Sequence, residues 1–269
     1  MTLLAADALA LATRAAREAG GLLREMQRAP ASGVRAKSSA TDLVSEADER
    51  SERTIVGAIR KARPDDTIVA EEGSNAKGSS SVSWYVDPLD GTINYLYGIP
   101  HWSVTICCVD ESGPLAAVVF DPLRDELFNV ERGRGSRIGE RALRVSQAGD
   151  LATAMIATGF GYVSAQREMQ GRVIRHVLGE VRDIRRFGSA ALDLAWTAAG
   201  RYDGYFESVA TPWDWMGGAM LVREAGGQVT ELRPDDPALP NIVASGPALH
   251  DPLIALLAKA VHKAQNSID

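Results

Sequence analysis

The chain has 269 residues, of which 45% are hydrophobic and 24% are charged, as is typical of a globular protein with a sizeable core in one large domain or two packed subdomains. Its formal net charge of −6 argues against nucleic acid or an anionic membrane as a partner, but not against a phosphorylated substrate, because bound cations can reverse the local field. The cysteines, Cys107 and Cys108, are adjacent in an apolar run, which excludes a disulfide framework and fits a reducing cytoplasm. The sequence contains no run of about 18 uncharged apolar residues, so we predict no membrane span.

An amphipathic helix is predicted at the start of the chain, because apolar residues recur at spacings of three and four up to Met26. We expect this helix to end near Pro30. Asp7 and Arg14 interrupt its apolar stretch, so we expect no signal peptide. After a polar loop, a second helix is predicted to begin near Ser45.

The rest of the first half is predicted to consist of short strands separated by turns. These strands cover residues 67–70, 84–86, 104–109, 115–120 and 126–130. In the second half, strands alternate with helices. The predicted strands there are 154–157, 184–187, 202–207, 228–231 and 242–244, and the predicted helices are 164–179, 189–199, 213–225 and 251–264. This alternation predicts an α/β (α+β) fold, and we place a subdomain boundary between residues 1–148 and 149–269.

The candidate chemistry is concentrated in acidic segments that are far apart in the sequence. They are residues 70–73 (AEEG), 84–94 (WYVDPLDGTIN) and 212–215 (PWDW). The central segment contains no Lys or Arg, so its acids have no local partner. Two like charges about 4 Å apart repel by about 4 kcal/mol at an effective dielectric constant of 20. If such acids converge, they must take up protons or hold a metal, and ligands that are all oxygens favour Mg²⁺ over Zn²⁺.

The central segment has the features of a binding turn. Pro88 fixes its own φ and directs the chain into a bend that can bring Asp87 and Asp90 to one point. Gly91 permits close backbone approach, so its N–H and that of Thr92 can face an anion. The alternative is a plain surface turn, because Asp-Pro and Asp-Gly are common turn dipeptides.

A second copy of the Asp-Pro-Leu sequence provides a comparison. Residues 120–126 (FDPLRDE) place Arg124 among the acids, and no Gly-Thr pair follows. We therefore predict that Asp121 and Asp125 belong to an ordinary hairpin turn and take no part in the chemistry.

Together these motifs resemble the inositol monophosphatase family of metal-dependent, lithium-sensitive phosphatases. The resemblance covers about residues 37–245. It is carried by residues 42–48 (DLVSEAD), the Glu71-Glu72 pair, residues 87–92 (DPLDGT), Trp213-Asp214 and residues 224–227 (EAGG). It implies a layered αβαβα sandwich of the sugar-phosphatase type, usually a homodimer. It also implies an N-terminal subdomain with most metal ligands and a C-terminal subdomain that completes the active site.

The resemblance implies two to three Mg²⁺ ions. Glu71, Asp87 and the Leu89 carbonyl would hold one ion, and Asp87, Asp90 and Asp214 would hold a second. A third, weaker ion would lie by Glu71. The resemblance places Lys37, Asp48 and Glu72 behind these ligands or at the third ion.

The same resemblance implies the groups that act on the substrate. The implied catalytic residues are Glu71, Thr92 and Asp90, with Glu71 and the Thr92 hydroxyl orienting the attacking water. The implied substrate-binding residues are Gly91, Thr92, Ala190, Glu207 and Asp214. The N–H groups of Gly91 and Thr92 would hold the phosphate, and Glu207 would accept a hydrogen bond from a substrate hydroxyl.

Some positions depart from the family pattern or permit several roles. Ile93 cannot hydrogen-bond to a leaving group, and we expect Trp215 to pack in the core. We expect a structural role for His101 over one at the rim of the substrate site. Arg185 and Arg186 either form ordinary salt bridges or interface contacts, or touch a charged substrate.

The function predicted from the sequence is hydrolysis of inositol monophosphate or a similar small polyol phosphate by metal-activated water. The same chemistry on histidinol phosphate, fructose 1,6-bisphosphate, a 3′-phosphonucleotide or the 2′-phosphate of NADP is the enzymatic alternative. A binding role in transcription or ribosome assembly is the alternative from another class. The complete set of acids favours the enzyme, because binding alone would not need it.

Overall fold

The computed structural model describes residues 4–28, 32–37, 43–208, 211–232 and 236–266. The helices of these residues are α1 (Ala5–Met26), α2 (Glu46–Ala62), α3 (Thr92–Leu96), α4 (Ser164–Val177), α5 (Ala190–Ala198), α6 (Pro212–Glu224) and α7 (Pro247–Asn266). The strands are β1 (Arg35–Ala36), β2 (Leu43–Val44), β3 (Thr67–Ala70), β4 (Ser83–Asp90), β5 (Ser103–Asp110), β6 (Gly113–Asp121), β7 (Glu126–Glu131), β8 (Gly135–Ile138), β9 (Arg141–Ala142), β10 (Met155–Thr158), β11 (Asp183–Arg185), β12 (Gly204–Glu207), β13 (Gln228–Glu231) and β14 (Ile242–Ser245). Asp42, which belongs to the first family motif, lies outside the described residues.

Two sheets form the frame of the molecule. The first has seven strands in the order β3-β4-β5-β6-β7-β8-β9, with β3 parallel to β4 and the other neighbours antiparallel. The second has five strands in the order β11-β10-β12-β14-β13. Strand β10 is parallel to both of its neighbours, whereas β14 is antiparallel to both of its own.

Helices cover the sheets in separate layers. α1 and α2 pack on the outer face of the seven-stranded sheet, and α5 and α6 fill the layer between the two sheets. α4 and α7 cover the far face of the five-stranded sheet. The order is therefore α-β-α-β-α, which confirms the predicted layered sandwich and its α/β (α+β) class.

The first two helices begin and pack as the sequence predicts. Ser45 caps α2 by accepting a hydrogen bond from the Ala47 N–H (3.2 Å), while Asp48 accepts one from the Ser45 N–H (2.8 Å). In α1, small residues face the sheet, and a Cβ added at Gly20 would lie 2.7 Å from the Phe120 ring. The lack of a side chain at Gly20 therefore lets α1 lie close to β6.

Several element ends differ from the sequence-based predictions. The predicted strand 184–187 is observed as β11 at Asp183–Arg185, and Arg185 is the last residue that pairs with β10. α7 begins at Pro247, before the predicted start at residue 251, since proline at the first helical position loses no hydrogen bond that the helix needs. Pro30, where we expected α1 to end, lies outside the described residues, and α1 ends at Met26.

The described helices include none that is both long enough and apolar enough to cross a membrane. The strands of the seven-stranded sheet lie within residues 67–142, and those of the five-stranded sheet lie within residues 155–245. The subdomain boundary at residue 148 falls between these two sets and stays a prediction.

Candidate active site

Strand β4 changes its pairing where the Asp-Pro-Leu-Asp sequence begins. Asp87 lies opposite Thr105 and Asp90 lies opposite Ser103, so β4 has one residue more than β5 between the two pairs. Such a bulge bends the strand and redirects its side chains. The Leu89 N–H also donates to Asp87 Oδ1 (3.0 Å), which closes the bend. The extra residue therefore turns both carboxylates toward the same region.

Gly91 and Thr92, which follow the bend, are closely packed against neighbouring residues. Gly91 has φ of 92°, and a Cβ at this position would lie 3.1 Å from the His101 carbonyl oxygen. Both the conformation and the space thus require glycine. α3 begins at Thr92, whose hydroxyl oxygen lies 3.0 Å from the Leu89 carbonyl oxygen and 2.9 Å from Asp48 Oδ1.

Glu71 and Asp214 reach the bend from two other elements. Glu71 directly follows β3, which is parallel to β4, and the Glu71 N–H donates to the Val86 carbonyl (3.2 Å). Asp214 lies in the first turn of α6 and accepts a hydrogen bond from the Thr211 hydroxyl (2.6 Å). The structure therefore brings Glu71, Asp87, Asp90 and Asp214 to one cavity of about 850 Å³.

The carboxylates in this cavity raise one another's pKa. Burial raises the pKa of Asp87 well above its ordinary value, and the charges of Glu71, Asp90 and Asp214 raise it further. Burial also raises the pKa of Asp214 to about 8, against the lowering effect of its Thr211 hydrogen bond. The pKa of Asp90 rises to about 6 for the same reason, although hydrogen bonds from Ser189 and Ala191 oppose the change. The cluster thus holds more negative charge than its surroundings neutralise.

The cavity fits a hard cation by its donor chemistry. Its candidate ligands are carboxylate oxygens and the Leu89 carbonyl, and the described residues that line it include no histidine or cysteine. In the described part of the chain, no three acidic, histidine or cysteine side chains form a ready-made metal site. The Asp90 and Asp214 carboxylates instead accept hydrogen bonds from the Ser189 and Thr211 hydroxyls. A bound cation would relieve the mutual repulsion that raises these pKa values.

Lys37 lies at the edge of the acidic cluster. Its ammonium group donates to Glu71 Oε1 (2.7 Å) and to Glu72 Oε1. Burial would lower the pKa of Lys37, but the Glu71 and Glu72 carboxylates raise it above its ordinary value. Burial raises the pKa of Glu72 to about 7. Lys37 therefore stays charged beside the cluster.

The start of α5 binds directly to the bend. The Ser189 hydroxyl and the Ala191 N–H (2.9 Å) both donate to Asp90 Oδ2. Ala190, predicted to lie near Asp90, lines the cavity. The sequence places Ser189 only at the start of a predicted helix, and its bond to Asp90 has no local sequence signal. Ser189 also accepts the Leu192 N–H (3.3 Å), so one hydroxyl serves the helix and the site.

Glu207 enters the cavity from the five-stranded sheet. It ends β12, and its Oε2 accepts a hydrogen bond from the Tyr205 hydroxyl (2.9 Å). Burial raises the pKa of Glu207 to about 7, although that hydrogen bond lowers it. Glu207 is therefore a half-buried acceptor that lines the same cavity as the acidic cluster.

The two arginines that the sequence left open have different neighbours. Arg185 donates to Asp183, as an ordinary ion pair does. Arg186 lines the cavity, where its guanidinium donates to the Phe160 carbonyl (3.3 Å) and lies 5.8 Å from the Phe160 ring centre. Arg186 and Phe160 therefore form one wall of the cavity; a substrate contact was one of the two alternatives predicted for Arg186, and Phe160 was not predicted.

The other uncertain residues are structural. His101 is buried and lies against the Phe187 and Trp196 rings, at 5.0 and 5.3 Å between ring centres. Trp215 packs against the cluster between the two sheets, as expected. Asp121 closes the turn between β6 and β7 by accepting the Leu123 N–H (3.0 Å), so the second Asp-Pro-Leu copy is a hairpin turn.

Comparison with known proteins agrees with this architecture. A model of the inositol monophosphatase family matches residues 5–265. A protein named Nus factor SuhB from Xylella fastidiosa is 42% identical over 97% of this chain and 94% of its own length, and the one from Escherichia coli K12 is 39% identical over 92% and 94%. The structure of an IMPase from Thermotoga maritima, which is 32% identical, covers 96% of this chain and 99% of its own with a TM-score of 0.85. The chain therefore belongs to the inositol monophosphatase family.

Proposed function

We propose that this chain is a Mg²⁺-dependent phosphomonoester hydrolase that acts on inositol monophosphate or a similar small polyol phosphate. The observation that carries the proposal is the convergence of Glu71, Asp87, Asp90 and Asp214 in one cavity. These acids come from three separate segments, and their placement together is costly without a cation. Membership of the inositol monophosphatase family supports the same chemistry.

In this proposal Glu71, Asp87, Asp90, Asp214 and the Leu89 carbonyl are the ligands for two to three Mg²⁺ ions. Bound Mg²⁺ would neutralise phosphate charge and lower the pKa of the attacking water below its value in bulk solvent. Residues of the chain itself bind the substrate, orient the attacking water and accept its proton.

The substrate is held and attacked by groups around the bend. The Gly91 and Thr92 N–H groups donate to the phosphate oxygens, at the point where α3 begins. Glu71 and the Thr92 hydroxyl orient a water molecule, and the Glu71 carboxylate accepts its proton. The water oxygen forms a bond to phosphorus as the bond from phosphorus to the alcohol oxygen breaks. The departing alkoxide takes a proton from solvent and Glu71 returns its proton to solvent, so inorganic phosphate and the free alcohol are released.

Glu207 supports a polyol as the leaving group, because a half-buried carboxylate that lines the cavity can accept a hydrogen bond from a substrate hydroxyl. The Arg186 and Phe160 wall adds a cation and an aromatic ring to the same cavity. Those groups also suit histidinol phosphate, fructose 1,6-bisphosphate, a 3′-phosphonucleotide or the 2′-phosphate of NADP, which therefore stay as alternative substrates.

A phosphate-release assay over this panel of substrates with Mg²⁺ tests the proposal. We expect Asp87→Asn to remove activity while the protein stays folded. Asp121→Asn is a matched control, because both aspartates precede Pro-Leu, are buried, and accept the N–H two residues later at 3.0 Å. Removing the Asp121 charge breaks a bond to Arg124 and should lower stability but not the activity of folded protein. Equal losses of activity in the two variants would contradict the proposed site.

A binding role is the second candidate, and the names of the relatives favour it. The proteins from X. fastidiosa and E. coli are named Nus factors, which is consistent with binding to transcription components. These names give no support to the prediction that nucleic acid is excluded as a partner. A pull-down with RNA polymerase that survives Asp87→Asn would favour this role, and loss of Mg²⁺-dependent phosphate release in that variant would favour the enzyme.

The remaining family properties are carried forward as predictions. We expect a homodimer, which light scattering of the purified protein can test. We also expect Li⁺ to inhibit phosphate release by occupying a Mg²⁺ site, and complete insensitivity to Li⁺ would count against the proposed ligand set.

A further inference from the structure

Gly159 lies directly beside the proposed substrate acceptor Glu207. Strands β10 and β12 are parallel, with Thr158 opposite Phe206, so the next residues along the two strands are Gly159 and Glu207. A Cβ added at Gly159 would lie 1.9 Å from Glu207 Oε1, 2.0 Å from Cδ and 2.2 Å from Oε2. The Glu207 carboxylate therefore occupies the space that any side chain at residue 159 would take.

The backbone gives no other reason for glycine at this position. Gly159 is not among the glycines with positive φ, so its conformation is one that other residues adopt. By contrast, Gly91 requires glycine for its φ as well as for space. The role of Gly159 is therefore to leave room for the Glu207 carboxylate.

Tyr205 fixes the other side of the carboxylate. It precedes Glu207 by two residues on β12, so both side chains lie on the same face of the sheet. Tyr205 is fully buried, and its hydroxyl donates to Glu207 Oε2 at 2.9 Å. Among the described residues Tyr205 is the side chain that donates to this carboxylate, so Oε1 receives no hydrogen bond from a described side chain, and Glu207 lines the cavity.

We propose that Gly159 is a specificity-determining residue and that Tyr205 is a positioning residue for Glu207. Together they hold the carboxylate so that one oxygen meets a free hydroxyl on the leaving alcohol. The protein then prefers phosphate esters of polyols over esters of alcohols without a second hydroxyl. This inference rests on the proposed phosphatase function and adds the residues that set its substrate class.

The test compares kcat/KM for inositol monophosphate with that for ethyl phosphate, whose leaving group has no other hydroxyl. For Gly159→Ala we expect kcat/KM for inositol monophosphate to fall about 10- to 100-fold, as for loss of a hydrogen bond to a charged acceptor, mainly through KM. The value for ethyl phosphate should change less than about 3-fold. Tyr205→Phe keeps the ring, and we expect the same direction of change because Oε2 loses its donor.

Gly171→Ala in α4 is the matched control for a glycine-to-alanine change nearby in the sequence. A Cβ there would meet no atom within 4 Å, and Gly171 does not line the cavity. We expect this variant to keep the wild-type ratio of the two kcat/KM values. A fall that is equal for both substrates in Gly159→Ala and Tyr205→Phe would indicate general structural damage and would overturn the inference.

The outcomes separate this inference from the proposed function. If the wild-type protein releases no phosphate from any ester with Mg²⁺, both are wrong. If it is active but Gly159→Ala and Tyr205→Phe keep the wild-type substrate ratio, only the positioning of Glu207 is refuted. If Gly159→Ala does not fold, Tyr205→Phe decides alone, because it adds no atoms.

Discussion

Replacing Gly218 with alanine should push apart the two helices of the central layer. A Cβ at Gly218 in α6 would lie 2.5 Å from Leu194 Cβ and 2.8 Å from Leu194 Cδ1 in α5. Carbon atoms in contact normally lie about 3.5–4.0 Å apart, so one helix must move by about 1 Å or more. Leu194 is fully buried and cannot swing into solvent. Overpacking of this kind costs about 1–3 kcal/mol.

Gly57 in α2 is the matched control, because a Cβ there would meet no atom within 4 Å. Alanine in a helix gains about 1 kcal/mol over glycine at either position, so this gain cancels between the two variants. The difference in their unfolding free energies, measured by urea denaturation, should therefore equal the overpacking cost of about 1–3 kcal/mol. We expect Gly57→Ala to be slightly more stable than the wild type. Equal stability of the two variants would refute the close packing of α5 and α6.

Gly218→Ala should also weaken activity, because α5 and α6 each contribute to the site. The α5 N–H of Ala191 binds Asp90, and Asp214 lies in the first turn of α6. A shift of about 1 Å between the helices changes the spacing of these groups, and such misplacement can cost about 100-fold in rate. Phosphate release per folded molecule should fall in Gly218→Ala but not in Gly57→Ala.

Three further predictions concern pH, a partly buried ion pair and metal binding. Burial, with the nearby Arg124 charge, lowers the pKa of His101 to about 4. The contribution of neutral His101 to stability is therefore complete above pH 6.5 and is lost as the pH falls toward 4. The unfolding free energy should fall from pH 7 to pH 5 by about 2 kcal/mol more in the wild type than in His101→Asn. Asp66 is buried and accepts hydrogen bonds from Arg63 (2.8 and 3.0 Å) and from the Trp84 Nε1–H (2.9 Å), so Asp66→Ala leaves a buried donor unpaired and should lower the unfolding free energy by about 1–3 kcal/mol in denaturant titrations. Mg²⁺ at 100 times its Kd should stabilise the wild type by about 2.7 kcal/mol in thermal unfolding and should have little effect on Asp87→Asn; equal shifts would place the ion elsewhere.

Periodicity and capping signals predicted most of the fold because they depend on nearby residues. The three- and four-residue spacing of apolar side chains located α1, and Ser45 with Asp48 marked the start of α2. The sequence predicts too short a strand β4, at residues 84–86, because Pro88 favours a turn. The observed strand continues to Asp90 through a bulge that contains Pro88. Proline is tolerated there, because residues in a bulge do not have to donate a hydrogen bond to the neighbouring strand.

Features that depend on the register between distant strands could not be predicted from the sequence. Gly159 and Glu207 are neighbours only because β10 and β12 pair with Thr158 opposite Phe206. In the same way, the sequence does not distinguish Arg185 from Arg186. Arg185 is the last residue of β11 and forms a salt bridge, whereas Arg186 follows the strand and lines the cavity. Local composition carries no information on either point.

The position of the site follows from the order of the layers. Glu71 and the Asp87–Asp90 bend lie at the ends of strands in the seven-stranded sheet, and Glu207 lies at the end of a strand in the five-stranded sheet. α5 and α6 pack between the two sheets and bring Ala190 and Asp214 to the same cavity. Because each sheet supplies only part of the acidic set, the cavity depends on how closely the central helices hold the sheets together. Small residues at the α5–α6 contact therefore affect the chemistry from a distance, and we expect the site to respond to packing changes that leave every acid in place.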